Sequence, residues 1–133
     1  MIYDIMNNPE DNFINQLVII FYKHQIKMKT FHFQTKFYSR HKATDSYLKK
    51  FLKQFDKFTE IVIGYGIHKL SLQKIDIQCD TLTDENIIED LSSFTDKIIN
   101  DFYPKIKSYP DLVNIITDMI ANINQFKYLL NFK

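Results

Sequence analysis

Five side chains in the first half of the chain have the types and spacing of metal ligands. They are His32, His41, Asp45, Asp56 and Glu60, in the pattern His-x8-His-x3-Asp-x10-Asp-x3-Glu. Imidazole nitrogen combined with carboxylate oxygen suits iron, manganese or zinc, whereas calcium and magnesium take oxygen ligands and would not need the histidines. Asp56 and Glu60 stand one helical turn apart, so on a helix both carboxylates can address one ion. The carboxylate-bridged centre of a self-contained bundle uses Glu-x-x-His pairs from facing helices. This chain has no Glu-x-x-His, and no histidine follows His68. The sequence therefore points to a half-site that a second chain completes.

The elements that must position these groups read as helices. Asn8, Pro9, Glu10 and Asp11 form an N-terminal helix signal, and a first helix then runs to about Gln34 on a stripe of Phe13, Leu17, Ile20, Phe21, His24, Met28 and Phe31. Thr44 or Asp45 can cap a second helix with an apolar arc of Leu48, Phe51, Leu52, Phe55, Phe58 and Val62, closed by Gly64 and Gly66. At about 100° per residue, Asp45, Asp56 and Glu60 fall on one stripe of that helix, beside the basic stripe of Lys49 and Lys53. Residues 67–82 alternate weakly and read as a long crossover. Thr83, Asp84 and Glu85 open a third helix through Ile87, Ile88, Leu91, Phe94, Ile98, Ile99 and Phe102, which Pro104 should stop. Ser108 to Asp111 is a capping-box candidate for a fourth, through Leu112, Ile115, Ile116, Met119, Ile120, Ile123 and Leu130. Two helical hairpins joined by a long connection predict an all-α fold, a four-helix bundle with the connectivity of ferritin-like proteins, in a single domain spanning 1–133.

Composition agrees with that reading. A chain of 133 residues, 45% hydrophobic, can fill one core, and two glycines and three prolines supply few tight turns. The single cysteine, Cys79, can form no internal disulfide, which fits a reducing compartment. No apolar run reaches the roughly 20 residues a membrane span needs, and the acidic, amide-rich start lacks the features of a signal peptide. The expectation is a soluble cytoplasmic protein with no membrane partner. Net charge is +1, but residues 1–70 carry +5 and residues 71–133 carry −4. That asymmetry favours attraction between copies more than dedicated nucleic-acid binding. The richness in Ile, Lys and Asn matches the residue usage of an AT-rich genome.

The stretch FHFQTKFYSRHKATDSYLKKFLKQFDKFTEIVIG resembles the ferroxidase motif of Dps-type mini-ferritins. In that family a histidine near the end of the first helix, a second just before the next helix, and an Asp-x-x-x-Glu within it build an iron site between subunits. The resemblance implies that His32 and His41 are the two histidines, Asp45 an acid near the metal, and Asp56 and Glu60 the main carboxylate ligands. Phe33 stands where the family usually has tryptophan, and the His32 to His41 interval is shorter than usual by about one helical turn. The likeness covers about residues 13–64, and the wording around FHFQTKFYSRHKA is similar to short Dps-like proteins of large DNA viruses. The implied activity is oxidation of ferrous iron with protection from oxidants. The implied state is a homo-oligomer, from a dimer to a twelve-subunit shell, in the cytoplasm, or in the host cytoplasm or virion if the source is viral. The Lys-rich tail with which some members hold DNA is missing, so DNA is a weakly supported partner.

Plainer readings stand beside these. Asp56 and Glu60 alone would be solvated helix acids paired with Lys53 and Lys57, worth a few tenths of a kcal/mol. His24 and His68 read as structural, Cys79 as inert, and Lys49, Lys50, Lys53 and Lys57 as a solvated face. A competing function is that of a structural virion or capsid-associated protein that keeps the fold without metal activity.

Overall fold

A computed structural model describes residues 12–66 and 69–133. The Asn8–Pro9 cap, Ile67 and His68 lie outside the described residues. All regular structure among the described residues is helical.

Helix α1, Phe13–Gln34, starts at Asn12, whose side-chain oxygen accepts from the Ile14 backbone N–H at 2.9 Å. It buries Phe13, Leu17, Phe21, His24, Met28 and Phe31 at spacings of three and four, together with Ile14 and Val18. Helix α2, Tyr38–Gly64, follows after only Thr35, Lys36 and Phe37, so it begins about two turns before the expected Thr44 or Asp45 cap. Thr44 is instead buried inside the helix, its hydroxyl donating to the Arg40 carbonyl at 2.6 Å. Arg40 explains the early start. Its guanidinium is buried and reaches the Asp84 carbonyl at 2.7 Å, the Asp84 carboxylate at 3.2 Å and the Leu130 carbonyl at 3.1 Å, pinning the first turn of α2. The expected arc of α2 is buried except for Leu52, which is 40% exposed. The helix ends at Gly64, and Gly66 follows at φ +73°, a left-handed conformation that suits glycine.

Residues 69–82 contain no helix or strand. The start of this connection is held to the beginning of α1, where the Asn15 side chain accepts from Ser71 N–H at 3.1 Å and Asn12 donates to the Lys69 carbonyl at 2.8 Å. Its far end is held to the end of α1, where Asp84 accepts from the Thr35 hydroxyl and the Lys36 N–H. The segment thus returns along the full length of α1. Thr83 does open the next helix, but with Asn86 as its partner: Thr83 N–H donates to Asn86 Oδ1 at 2.7 Å, and Asn86 N–H to Thr83 Oγ1 at 3.1 Å.

Helix α3, Ile87–Lys97, does not stop at Pro104. It widens into a π turn over Ile98–Phe102 and continues as α4, Tyr103–Ile106. Tyr103 N–H reaches back to the Ile98 carbonyl, five residues away. Proline has no N–H and its ring would crowd the Asn100 carbonyl of a regular helix, so the wider turn accommodates it. Ile88 and Ile99, expected in the apolar repeat, are exposed. Helix α5, Pro110–Leu129, lacks the expected capping box. Pro110 sits in its first turn, where no N–H partner is needed, and the Asp111 carboxylate accepts from the Tyr65 hydroxyl and its neighbour Leu112 N–H.

Chain directions follow from the end contacts. The finish of α5 meets the start of α2 through Arg40 and Leu130, and the start of α5 meets the finish of α2 through Asp111 and Tyr65. The two helices are therefore antiparallel. α3 lies against α1, with Phe94 stacked on His24 at 3.7 Å between ring centroids and Phe102 edge-on to Phe21 at 5.5 Å. The buried apolar side chains form a continuous cluster drawn from all of these elements. No helix among the described residues is long and apolar enough to cross a membrane.

His24 lies within this core. Its Nε2 is 2.6 Å from the Tyr47 hydroxyl, and burial, helped by the Lys27 charge, pushes its pKa down to about 3. Burial likewise pushes the Tyr47 phenol up. Above about pH 6.5 the ring is neutral both folded and unfolded. Below it, the unfolded chain takes up a proton that the folded one refuses, so stability falls as pH drops towards 3. The expected slope is about 1.4 kcal/mol per pH unit from this one group. Urea unfolding between pH 7.5 and 5 should show it, and His24→Gln should remove that part of the slope.

Candidate metal centre

His32 occupies the last turn of α1 and His41 the first turn of α2, so the three-residue connection folds them together. Their rings stack at 3.8 Å between centroids and 20° between planes. Each Nδ1 lies 2.8 Å from the backbone carbonyl of the other residue. A carbonyl only accepts, so both Nδ1 atoms carry hydrogen. With both Nδ1 atoms engaged, Nε2 is the ring nitrogen through which either histidine could bind a metal. An Nδ1–H donated to a backbone carbonyl is also the usual outer support of a metal-bound imidazole. The short interval between the two histidines is accommodated by the tight α1–α2 turn.

Phe33 and Tyr38 flank the pair, Phe33 edge-on to His32 at 5.3 Å and Tyr38 parallel to His41 at 6.1 Å. Asp45 follows one turn after His41 on α2. Its carboxylate pairs with Lys49 at 3.2 Å. The Lys49 hydrogen bond, opposed by burial and reinforced by the charges of Lys49, His32 and Lys29, holds it below the ordinary aspartate value. The hairpin apex thus gathers His32 and His41 in contact, with Asp45 in electrostatic reach.

Asp56 and Glu60 are elsewhere. They are exposed, 15 and 19 residues beyond His41 along the same helix. At about 1.5 Å per residue that is roughly 22 and 28 Å, too far to share an ion with the histidines of the same chain. Among the described residues, no three His, Cys, Asp or Glu side chains form a group that could hold a metal ion. Nor does either acid form an ion pair among the described residues, so the expected pairing with Lys53 and Lys57 is not made. Asp56 lines a groove of about 260 Å³ between α1 and α2, with Tyr22, Gln25, Leu52, Phe55, Thr59 and Leu70. The buried Thr59 hydroxyl has no hydrogen-bond partner. Lys49, Lys50, Lys53 and Lys57 are all exposed, as expected, with Lys49 paired to Asp45 and Lys50 donating to Gln125 on α5.

Sequence reasoning passed over Arg40 and read Asp84 only as part of a helix start. Partial burial alone would raise the Asp84 carboxyl, but hydrogen bonds from Thr35, Lys36 and Arg40 outweigh it and hold the group below its usual range. These contacts brace both sides of the turn between the histidines. The available signal was an arginine immediately before His41, with its acid 44 residues away.

The model of one protein family, described as a family of unknown function (DUF5856), matches residues 32–130, a stretch that includes all five candidate ligands. No curated protein and no solved structure matches the chain.

Proposed function

For this chain, which belongs to the DUF5856 family, we propose the function of a Dps-type mini-ferritin, with a ferritin-like four-helix bundle as the subunit and a ferrous-iron site shared between two copies. The observation that carries this reading is the reciprocal tie between His32 and His41, which presents two adjacent imidazoles with Nε2 free for a cation. The antiparallel α1–α2 pair, the lengthwise return over residues 69–86 and the antiparallel α5 on α2 support the ferritin-like topology.

Iron is the substrate here. His32 and His41 of one copy hold the ferrous ion, and Asp56 and Glu60 of the other bring the negative charge that favours the ferric product. Two ferrous ions each give one electron to a peroxide. Its O–O bond breaks, two protons are taken up and two waters leave, so no hydroxyl radical is released. Asp45, kept ionised beside the histidines, adds to the field that attracts the cation. Ferric product then passes to the interior of a closed oligomer.

The double substitution Asp56→Ala, Glu60→Ala should abolish ferrous oxidation, followed by the ultraviolet absorbance of ferric product, with the circular dichroism of the helices retained. Both acids are exposed, so the fold does not depend on them. An oxidation rate equal to that of the unsubstituted protein would overturn the assignment.

A further inference from the structure

We propose that the groove between α1 and α3 binds a small organic anion, one that carries its charge on a flat apolar body. This groove lies on a different side of α1 from the one that Asp56 lines, and the proposal does not rest on the metal site.

Rings set the spacing of the two helices. His24 of α1 stacks on Phe94 of α3, and Phe21 meets Phe94 and Phe102 edge-on at 6.1 and 5.5 Å. The distance between packed helices depends on the side chains at the contact, and interposed rings keep backbones apart. Outside the rings this leaves a groove of about 380 Å³. Sites for small ligands fall at roughly 300–1,000 Å³. Lys27 pairs with Asp90, His24 with Phe94 and Phe21 with Phe102, so α1 and α3 run antiparallel. The Lys27–Asp90 pair crosses one end of the groove, and Ile19 and Ile20 lie at the other.

The floor is apolar and uncharged. Ile19 and Ile20 line it with the rings of His24 and Phe94. His24, with Nε2 engaged by the Tyr47 hydroxyl and its pKa pushed down to about 3, brings no charge to it at neutral pH. The rim is basic. Lys23, Lys27 and Lys97 line it against one carboxylate, that of Asp90, which Lys27 already holds. Asp101 meets Lys97 at 3.2 Å, but both groups are exposed and such a pair is weak enough for a ligand to displace. Lys23 forms no ion pair among the described residues.

These features select one class of ligand. Lys23 and Lys97 stand on opposite walls within about one turn of the same level, and Ser93 lies one turn before Lys97. Two ammonium groups and a hydroxyl suit a carboxylate, sulfonate or phosphate ester. Below them, the isoleucines, the ring edges and the lysine stems suit a flat apolar body. The lysines repel a cation. An inorganic anion would use only the rim, and a neutral apolar molecule only the floor.

The test is a fluorescence titration of the full chain with anilinonaphthalene sulfonate, an aryl sulfonate of this build. One site per chain is expected. Lys23→Glu, which reverses the free charge, and Ser93→Tyr, which fills the groove, should each weaken binding at least tenfold, with circular dichroism unchanged because both positions are exposed. Lys42→Glu, at the other end of the helix pair, should leave it unaltered. Uncharged anilinonaphthalene should bind at least tenfold more weakly than the sulfonate. Competition by decanoate or by adenosine monophosphate then assigns the head group as carboxylate or phosphate ester. Equal affinity for the charged and uncharged probes would overturn the proposal, as would binding that neither Lys23→Glu nor Ser93→Tyr lowers. So would displacement by inorganic phosphate as effective as that by decanoate or adenosine monophosphate, or displacement by none of them.

Discussion

Phe21→Ala is expected to lower the stability of the fold by about 3–5 kcal/mol, the range for truncating a fully buried phenylalanine. Phe21 is the hub of the core. Its ring meets Phe51, Phe55 and Phe58 of α2, Phe94 of α3 and Phe102 of the π turn, all edge-on at 5.1 to 6.2 Å between centroids. Removing it vacates the centre of three elements at once, and the five surrounding rings are too stiff to collapse into the space. A domain of this size has about 5–15 kcal/mol in total, so the variant should lose a large share of it. Urea unfolding followed by circular dichroism measures the loss. Phe21→Leu, which keeps most of the volume, should cost markedly less. Equal stabilities for Phe21→Ala and the parent would mean that α3 does not pack on the α1–α2 pair as described.

The second large effect is expected at Arg40. Its side chain is buried, and Asp84 is largely shielded, so Arg40→Ala strands a carboxylate and leaves the Leu130 carbonyl without its donor. Breaking a buried ion pair from one side costs about 3–5 kcal/mol. Adding Asp84→Asn to Arg40→Ala should recover part of this, because the uncompensated charge is then gone, and a double-mutant cycle by urea unfolding would read the coupling. The pH dependence carries a sign. Asp84 is held below its ordinary value in the fold, so its contribution is present above the unfolded aspartate pKa of about 3.9 and is lost as pH falls through the lower folded value. Arg40→Ala should shrink that contribution and flatten the acid limb. It should also loosen the histidine pair, since Arg40 holds the turn from which His41 projects.

Most of the helical framework was legible in the sequence because burial follows the helical period. The stripe of α1 from Phe13 to Phe31 and that of α5 from Leu112 to Ile123 are almost wholly buried. Element boundaries were less legible where a tertiary contact outweighs a local signal. Thr44 is a good cap in isolation, yet Arg40 draws the helix start back to Tyr38 by binding Asp84 and Leu130, partners remote in sequence. Leu52, Ile88 and Ile99 have the right side chains and period for a core but lie on outer faces, and hydrophobicity alone does not tell an outward apolar residue from an inward one. At the site, the ligand types and the distance between the two groups follow from counting residues along helices. The mutual backbone tie of the histidines does not, because it depends on the path of the Thr35-Lys36-Phe37 turn.

The π turn before Pro104 has a further effect, on rotational phase. The inward side chains after Phe94 are Ile98, Phe102 and Ile106, each four residues from the last. On a regular helix a step of four overshoots a full turn by about 40°, so from Ile98 to Ile106 the stripe would drift by about 80° and carry Ile106 towards solvent. One extra residue in the winding takes up about 100° and brings the stripe back. The turn that makes room for a proline is also what keeps the last two apolar side chains of this rod aimed at the core.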